Sequence, residues 1–519
     1  MWSSLPLTEG GPYSGQPEPG SISSSWRSLL SRWVLRSVAV FALVWSIFRA
    51  FQQSITLDEA DTYLWFGGGQ PARFIWYPFP NNHVLNSLLI WLSTTVFGVS
   101  ALTVRIPALL GAALYIFVAY YLCRVLIDRF VLQFAALICL IYNPFILDFF
   151  AAARGYTLAD AFLISALAVP VWHARTGRGS VAASTALASA AVGLSFVSNF
   201  AFAFVDGAAL LAVLLWAIRQ CGPDSMLRVI GCGALPVLAV SFGVCGYTIT
   251  HYAGEHLWYG ARSLGEMTQS LVDACLYQLP EWLGYSGMVR SAGGYLLLTL
   301  AIVCACRMSF GSVYPEFRQN MRAIMAASVA GILTLTVGAH YLAFRIAKIP
   351  LPLSRTAIYF LPLCTLLVAL VAASPAKPRL LRFLGRVMTG MLLVLATNYL
   401  LCLRFTYFKE YVQAAEMKQV YSVIERLNQR YGVEEFTVGG AYASPLNFYR
   451  VASKTAKLPR FMAAPEPRLP PGKVYVIHGS YYKSFLDEHK LVVLYRGAVS
   501  QVVVAVPPDG PVPPMPVMP

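Results

Sequence analysis

Three carboxylates, Asp58, Glu59 and Asp61, fall within the run Thr56-Leu57-Asp58-Glu59-Ala60-Asp61-Thr62-Tyr63. Such a cluster can bind a cation, or one member can take a proton from a substrate hydroxyl while the others fix orientation. The competing reading is a capped helix start. Further on, Tyr77-Pro78-Phe79-Pro80-Asn81-Asn82-His83 offers amide and imidazole groups, Asn82 and His83 above all, that can hydrogen-bond a sugar or a phosphate. In Arg154-Gly155-Tyr156-Thr157-Leu158-Ala159-Asp160, Tyr156 and Asp160 lie about one helical turn apart and share a face. The last candidate stretch carries Lys348, Arg355 and Tyr359. An Arg fork suits phosphate because it makes two parallel charge-assisted bonds, and Lys348 adds a second positive charge; snorkelling toward lipid head groups is the alternative.

The elements that must position these groups are apolar. Of 519 residues, 57% are hydrophobic and 12% charged, with mean hydropathy +0.60; soluble domains carry roughly 25% charged residues. This is an α-helical polytopic membrane protein. Its net charge of +15 implies no nucleic acid, because most Lys and Arg lie in short loops between apolar runs. Eleven spans are expected near 33–51, 101–123, 130–147, 155–172, 180–197, 200–218, 227–249, 293–306, 323–342, 356–374 and 385–403. Arg124, Arg129, Arg175, Arg178, Arg219, Arg228, Arg307, Arg318, Arg322, Lys377, Arg379, Arg382 and Arg386 fall in alternate loops, which makes those loops cytoplasmic. Outer loops then cover 52–100 and 250–292, with Val84 to Phe97 as a juxtamembrane helix in the first. The second holds His251, Glu255, His256, Trp258, Tyr259 and Arg262, an interfacial belt or a substrate lid. Asp206 in the sixth span can join the same cavity or pair with Asn199. Most cysteines sit inside apolar runs as small core residues.

The domain reading is a disordered cytoplasmic lead over 1–32, a transmembrane catalytic domain over 33–404, a small extracytoplasmic α/β domain over 405–506 and a disordered tail over 507–519. The α/β domain opens on a helical pattern from Tyr411 to Tyr431, followed by strand-like runs Glu435 to Gly439, Lys473 to His478 and Leu491 to Val506. No internal repeat is visible in the spans, which weighs against repeat-built transporters.

Acids able to activate a hydroxyl and bases able to hold a phosphate leaving group, on one side of a bilayer, suit glycosyl transfer from a lipid-linked sugar phosphate. At about 0.8 kcal/mol per buried methylene, a polyprenyl tail stays in the membrane, so its enzyme must be embedded there. The rival readings are a transporter or flippase of lipid-linked sugars, whose charges belong nearer the midplane, and a scaffold whose soluble domain recruits cell-wall partners.

Over about 30–405 the chain resembles the GT-C superfamily of integral-membrane glycosyltransferases, in the branch of aminoarabinose transferase and protein O-mannosyltransferase-like enzymes. The resemblance is carried in order by Asp58-Glu59, by Phe97-Gly98-Val99-Ser100-Ala101-Leu102-Thr103-Val104-Arg105-Ile106-Pro107-Ala108-Leu109, by Arg154 to Asp160 and by Pro352 to Pro362. It implies Asp58 as catalytic base, Glu59 and Asp160 as orienting or cation-binding groups, and Arg355 with Lys348 at the carrier's phosphate. Arg154, Tyr156, Tyr359, Asn82 and His83 join them as substrate-binding candidates. The partners implied are a polyprenyl-phosphate sugar donor, a glycan, lipid or protein acceptor, and the membrane itself. Relatives often carry Lys-Pro or His-Pro where this chain has Asn82-His83. A metal-free base and a divalent cation would both use Asp58 and Glu59, with Asp160 as a third ligand of any cation, so both readings stay open. The expected location is the bacterial inner membrane, amino terminus inside and carboxyl-terminal domain outside. An ordinary Asp has a pKa near 3.9, so either burial raises it or proton transfer comes late, after the sugar–phosphate bond has largely broken. That predicts an oxocarbenium-like transition state and inversion at the anomeric carbon.

Overall fold

The computed structural model describes residues 21–252, 259–277, 296, 298–303, 317–374, 379–453, 458–465 and 469–510. Among them, nine helices are long and apolar enough to cross a membrane. They are carried by α1 (Ser21–Gln52), α4 (Ala101–Leu126), α7 (Tyr156–Thr176), α8 (Val181–Ser198), α9 (Ala203–Cys221), α10 (Met226–Thr250), α12 (Phe317–Ala347), α13 (Phe360–Ala373) and α14 (Arg379–Leu401), with the shorter α11 (Leu264–Cys275) between α10 and α12. The protein is an integral membrane protein. α10 and α14 turn Leu235, Phe242, Phe383 and Val394 outward, as lipid-facing helices do, whereas Ala- and Ser-rich α8 lets α7 and α10 pack closely on either side.

Two expected spans differ. The run 130–147 is broken into α5 (Phe130–Ile141) and α6 (Pro144–Phe149), because Asn143 caps the second piece through its side chain and Pro144 cannot continue the first. Half of the span near 293–306 lies outside the described residues, as do Glu255, His256 and Trp258 of the second outer loop and 511–519 of the tail. The first helix begins at Ser21 instead of near 33, so the later part of the expected lead is helical. Val84–Phe97 forms a helix, α3, packed against α4 and α8.

The loop bearing the carboxylates is pinned from both sides. Thr56 and Glu59 form a capping box that starts α2 (Leu57–Asp61). Glu59 then takes a bidentate pair from Arg105 of α4, Nε to Oε1 and Nη2 to Oε2, both at 2.8 Å. Arg105 gives its other donors to the carbonyls of Ala50, Gln53 and Ser54, so every N–H of a fully buried guanidinium is satisfied. Glu59 also accepts from Ala153 N at 2.7 Å and Thr56 N at 2.9 Å. One ion pair therefore ties together the end of α1, the start of α2, α4 and the approach to α7.

A second buried carboxylate clamps the chain beyond α14. Asp148 binds Arg49 at 2.5 Å, Arg404 at 3.1 Å and the N–H of Lys409 at 2.8 Å, which lays residues 404–411 along the bundle. The soluble domain follows with α15 (Met417–Tyr431), whose buried Met417, Val420, Tyr421, Ile424 and Leu427 keep helical spacing. The sheet is β1 (Phe436–Val438), β2 (Val474–His478), β3 (Val492–Arg496) and β4 (Val502–Val506), in the order β1-β2-β4-β3. β1 and β2 are parallel and the other pairs antiparallel. The expected single strand Leu491 to Val506 is thus a hairpin, turned where Gly497 N–H bonds to the Val502 carbonyl. Helices α16 (Gly440–Ser453) and α17 (Lys483–Glu488) complete the domain, and Tyr449 of α16 accepts from Ile55 N at 2.9 Å. That bond touches the pinned loop.

Removing one partner of the buried pair leaves the other charge alone. Arg105→Leu is expected to cost about 3–5 kcal/mol, read as an earlier thermal transition in detergent, with Glu59→Leu/Arg105→Leu recovering part of the loss. An Arg105→Leu protein that melts with wild type would refute the anchoring role.

Candidate active site

With Glu59 drawn toward Arg105, its neighbour Asp58 points about 100° around the helix, into a cavity of about 570 Å³. The cavity lies where α8, α10 and α12 end and α2, α7 and the helix of residues 354–357 begin. Its wall is apolar through Phe196, Phe200, Phe204, Ile249, Ile349 and Leu351, with Asp58, Asn81, His83, Tyr156, Asn199, Tyr252, Tyr259, His340 and Arg355 as its polar groups. Arg124, Arg175 and Arg219 mark the opposite helix ends.

Asp58 and Arg355 meet directly, Oδ2 to Nη1 at 3.2 Å. Tyr411 donates its hydroxyl to the same Oδ2 at 2.8 Å, and Arg154 Nη2 stands 3.9 Å away. Burial works against the Asp58 charge, yet Arg154, Arg355 and the Tyr411 hydrogen bond outweigh it and hold the carboxyl below its ordinary value. Asp58 is therefore ionised at neutral pH. Arg154 is fully buried behind it, bonded to the Asp58 carbonyl at 3.3 Å, to Thr62 Oγ1 at 2.8 Å and to Asn81 Oδ1. The face of Arg355 lies over the Tyr259 ring at 4.9 Å. Tyr259 is brought there by a two-way backbone bridge between Ala261 and Leu351, and a Cβ on Gly260 would stand 2.4 Å from Pro350 Cβ.

His83 lines the cavity with both ring nitrogens buried and without partners, its ring edge-on to Tyr156 at 5.2 Å. Burial drives its pKa well down, and Arg154 and Arg355 add to the shift, so the imidazole is neutral. One nitrogen can donate to a ligand and the other can accept. Gly155 allows this approach: a Cβ there would sit 2.0 Å from the Ser198 carbonyl oxygen and 2.9 Å from His83 Cβ.

Of the residues expected from sequence, Asp58, His83, Tyr156 and Arg355 line one cavity, with Arg154 immediately behind. Others stand elsewhere. Both oxygens of Glu59 are occupied by Arg105 and backbone donors, so it orients the loop and has no oxygen left for a cation. Asp160 is 2% exposed, does not line the cavity, and has an Oδ1 without a partner; it sits a turn deeper in the bundle than Tyr156. Asp58, Glu59 and Asp160 therefore do not converge, and among the described residues no group of three or more His, Cys, Asp or Glu could hold a metal ion. Asn82 is turned inward, donating to the Ile75 and Tyr77 carbonyls and accepting from Ser87; its neighbour Asn81 faces the cavity. Lys348, at φ 56°, is exposed and its Nζ bonds the Arg345 carbonyl at 3.2 Å. Tyr359 is fully buried behind His340, hydroxyl to Nε2 at 2.7 Å. Asp206 is buried off the cavity, with neither carboxyl oxygen bonded. Asp61 is half-buried beside Ser444, its carboxyl pushed up by burial and by Asp58.

Glu410 and Tyr411 were not anticipated. They come from the clamped stretch beyond the last span, ahead of the helix that the sequence pattern starts at Tyr411 and the structure starts at Met417.

No family model matches the chain, and no curated protein matches it. Among solved structures it is similar to ArnT from Cupriavidus metallidurans bound to undecaprenyl phosphate, at TM-score 0.49 and 12% identity over 95% of this chain and 100% of that one. The apo state of that protein gives 0.49 and 13% over 94% and 100%. Arabinosyltransferase EmbB from Mycobacterium smegmatis gives 0.39 and 12% over 85% and 44%. Both neighbours are GT-C membrane glycosyltransferases. At these values the likeness is one of outline, and the chemistry has to be read from the cavity's own residues.

A carboxyl held below its ordinary 3.8 contributes stability that is present above that value and lost as pH falls through the lower folded value. Wild type is accordingly expected to melt later than Asp58→Asn by a constant margin between about pH 5 and pH 8, with the margin closing below about pH 4. Melting curves across that range check it; a margin that grows with acid would contradict the ion-pair account.

Proposed function

We propose that the protein is a glycosyltransferase that moves a sugar from a polyprenyl-phosphate donor to a hydroxyl of a lipid, glycan or protein acceptor. The observation that carries this reading is the 3.2 Å approach of Asp58 to Arg355 on the wall of one cavity. A proton acceptor and a phosphate binder side by side suit a displacement in which a hydroxyl attacks and a phosphate leaves.

In the step proposed, the acceptor oxygen forms a bond to the anomeric carbon while the bond from that carbon to the phosphate oxygen breaks. The phosphate leaves with the electron pair, and the acceptor's proton passes to Asp58. The contacts to Asp58 converge on Oδ2, so Oδ1 is the oxygen assigned to receive it. Because Asp58 is a weaker base than an ordinary carboxylate, proton transfer comes late, once the bond to phosphate is largely broken and the acceptor oxygen has become acidic. A single displacement inverts the anomeric centre. Arg355 meets the phosphate with its guanidinium, while neutral His83, Asn81 and Tyr156 supply donors and acceptors for the sugar. The aromatic and aliphatic wall at the helix ends suits the first isoprene units, which stay in the bilayer.

The cavity stands at the helix ends away from the basic loops, which supports an extracytoplasmic site under the positive-inside rule. The soluble domain then lies outside and the amino terminus inside.

Purified protein mixed with a polyprenyl-phosphate sugar and an acceptor is expected to release polyprenyl phosphate, which a flippase would not do. Asp58→Asn should lower that release roughly a hundred- to ten-thousandfold while keeping expression and lipid-phosphate binding. Full turnover in the variant would remove Asp58 from the role of base.

A further inference from the structure

Beside Arg355, off the cavity wall, stands a second acid that the transfer chemistry does not use. Glu410 stands with Oε1 3.9 Å from Arg355 Nη1, and Ser354 Oγ donates to its two oxygens at 3.2 and 3.3 Å. Ser354 adopts φ 49°, a left-handed conformation unfavourable for a residue with a Cβ, and its N–H bonds Ser270 Oγ at 2.9 Å. The turn thus holds a serine in a strained conformation where its hydroxyl fixes Glu410. Glu410 does not line the cavity, so it is no second base.

Around Arg355, the contacts from Asp58, Glu410 and Tyr411 all fall on Nη1. The other edge of the fork is what an incoming phosphate meets. Arg355 faces both Asp58 and Glu410, with Arg154 and Asp61 on the far side of Asp58, so Glu410 offsets part of the positive charge that Arg355 presents. Without Glu410 the site would be more positive by one unit and would hold any lipid phosphate, donor and product alike, more tightly. Binding both more tightly does not speed the chemical step and slows release of the product.

We propose that Glu410 is the counter-ion that limits the affinity of this site for a lipid-linked phosphate and so sets the rate at which the phosphate product leaves; this rests on the lipid-phosphate reading of the cavity. Glu410 is a positioning and charge-balancing residue, held in place by Ser354.

The test measures binding of undecaprenyl phosphate to the full chain in nanodiscs, together with donor KM and kcat. Glu410→Gln is expected to bind roughly tenfold more tightly, with KM and kcat both falling. Ser354→Ala should shift binding the same way by less, and it decides alone if Glu410→Gln does not fold. Wild type that binds undecaprenyl phosphate while the folded variant binds it equally or more weakly overturns the counter-ion role and leaves the transferase reading intact. Wild type that binds no undecaprenyl phosphate overturns the lipid-phosphate reading itself, and the counter-ion role with it.

Discussion

The arrangement depends on the buried pair between Glu59 and Arg105. A charged pair taken out of water is stable only when its remaining hydrogen-bonding positions are filled, and here the carbonyls at the end of α1 and the N–H groups of Thr56 and Ala153 fill them. That requirement makes the pair a ruler. Three separate stretches of backbone must arrive at fixed places around it, and Asp58, next in the chain, inherits its direction from them. The acid that carries the proposed chemistry is aimed by the acid that does not.

The basic half of the site is held by a parallel device. Asp148, at the break between α5 and α7, gathers Arg49, Arg404 and the Lys409 backbone, and the stretch it secures delivers Glu410 and Tyr411 to Arg355. Each half of the cavity is thus set by a buried carboxylate that never faces the ligand. The soluble domain is part of the same frame, because Tyr449 bonds the loop entering α2 and Phe448 packs edge-on to Tyr63 at 5.5 Å.

The fold was readable in the sequence because lipid imposes long apolar runs, and the departures fall where that signal is weakest. Asn143-Pro144 breaks a run that hydropathy alone joins, and Gly497 turns a run of β-branched residues into a hairpin. Asp58, Tyr156, His83 and Arg355 could be found because charged or polar types are conspicuous near membrane depth. The direction of a side chain in an irregular turn was not legible: Asn81 and Asn82 are one residue apart in a Pro-rich loop, and only the fold says which faces the cavity. Lys348 turns away through a left-handed backbone that its sequence does not announce. Asp160 does share a helix face with Tyr156, but the cavity ends within a turn. Glu59 sits in a run that also reads as a capped helix start, yet its partner Arg105 is visible only once α4 stands beside it. Tyr411 meets Asp58 across 353 residues of chain, a distance no local pattern spans.

That separation has a temporal side. Glu59 waits 46 residues for Arg105, a delay of about 2–9 s at ribosomal rates of 5–20 residues per second. Asp58 waits 353 residues for Tyr411, about 18–70 s on the same clock. During biosynthesis the carboxylate therefore emerges long before the residues that later neutralise it, and Arg154 is the first cation to reach it. A nascent chain would hold an incomplete pocket until the stretch carrying Tyr411 docks, so the surroundings of Asp58 would be completed late in synthesis.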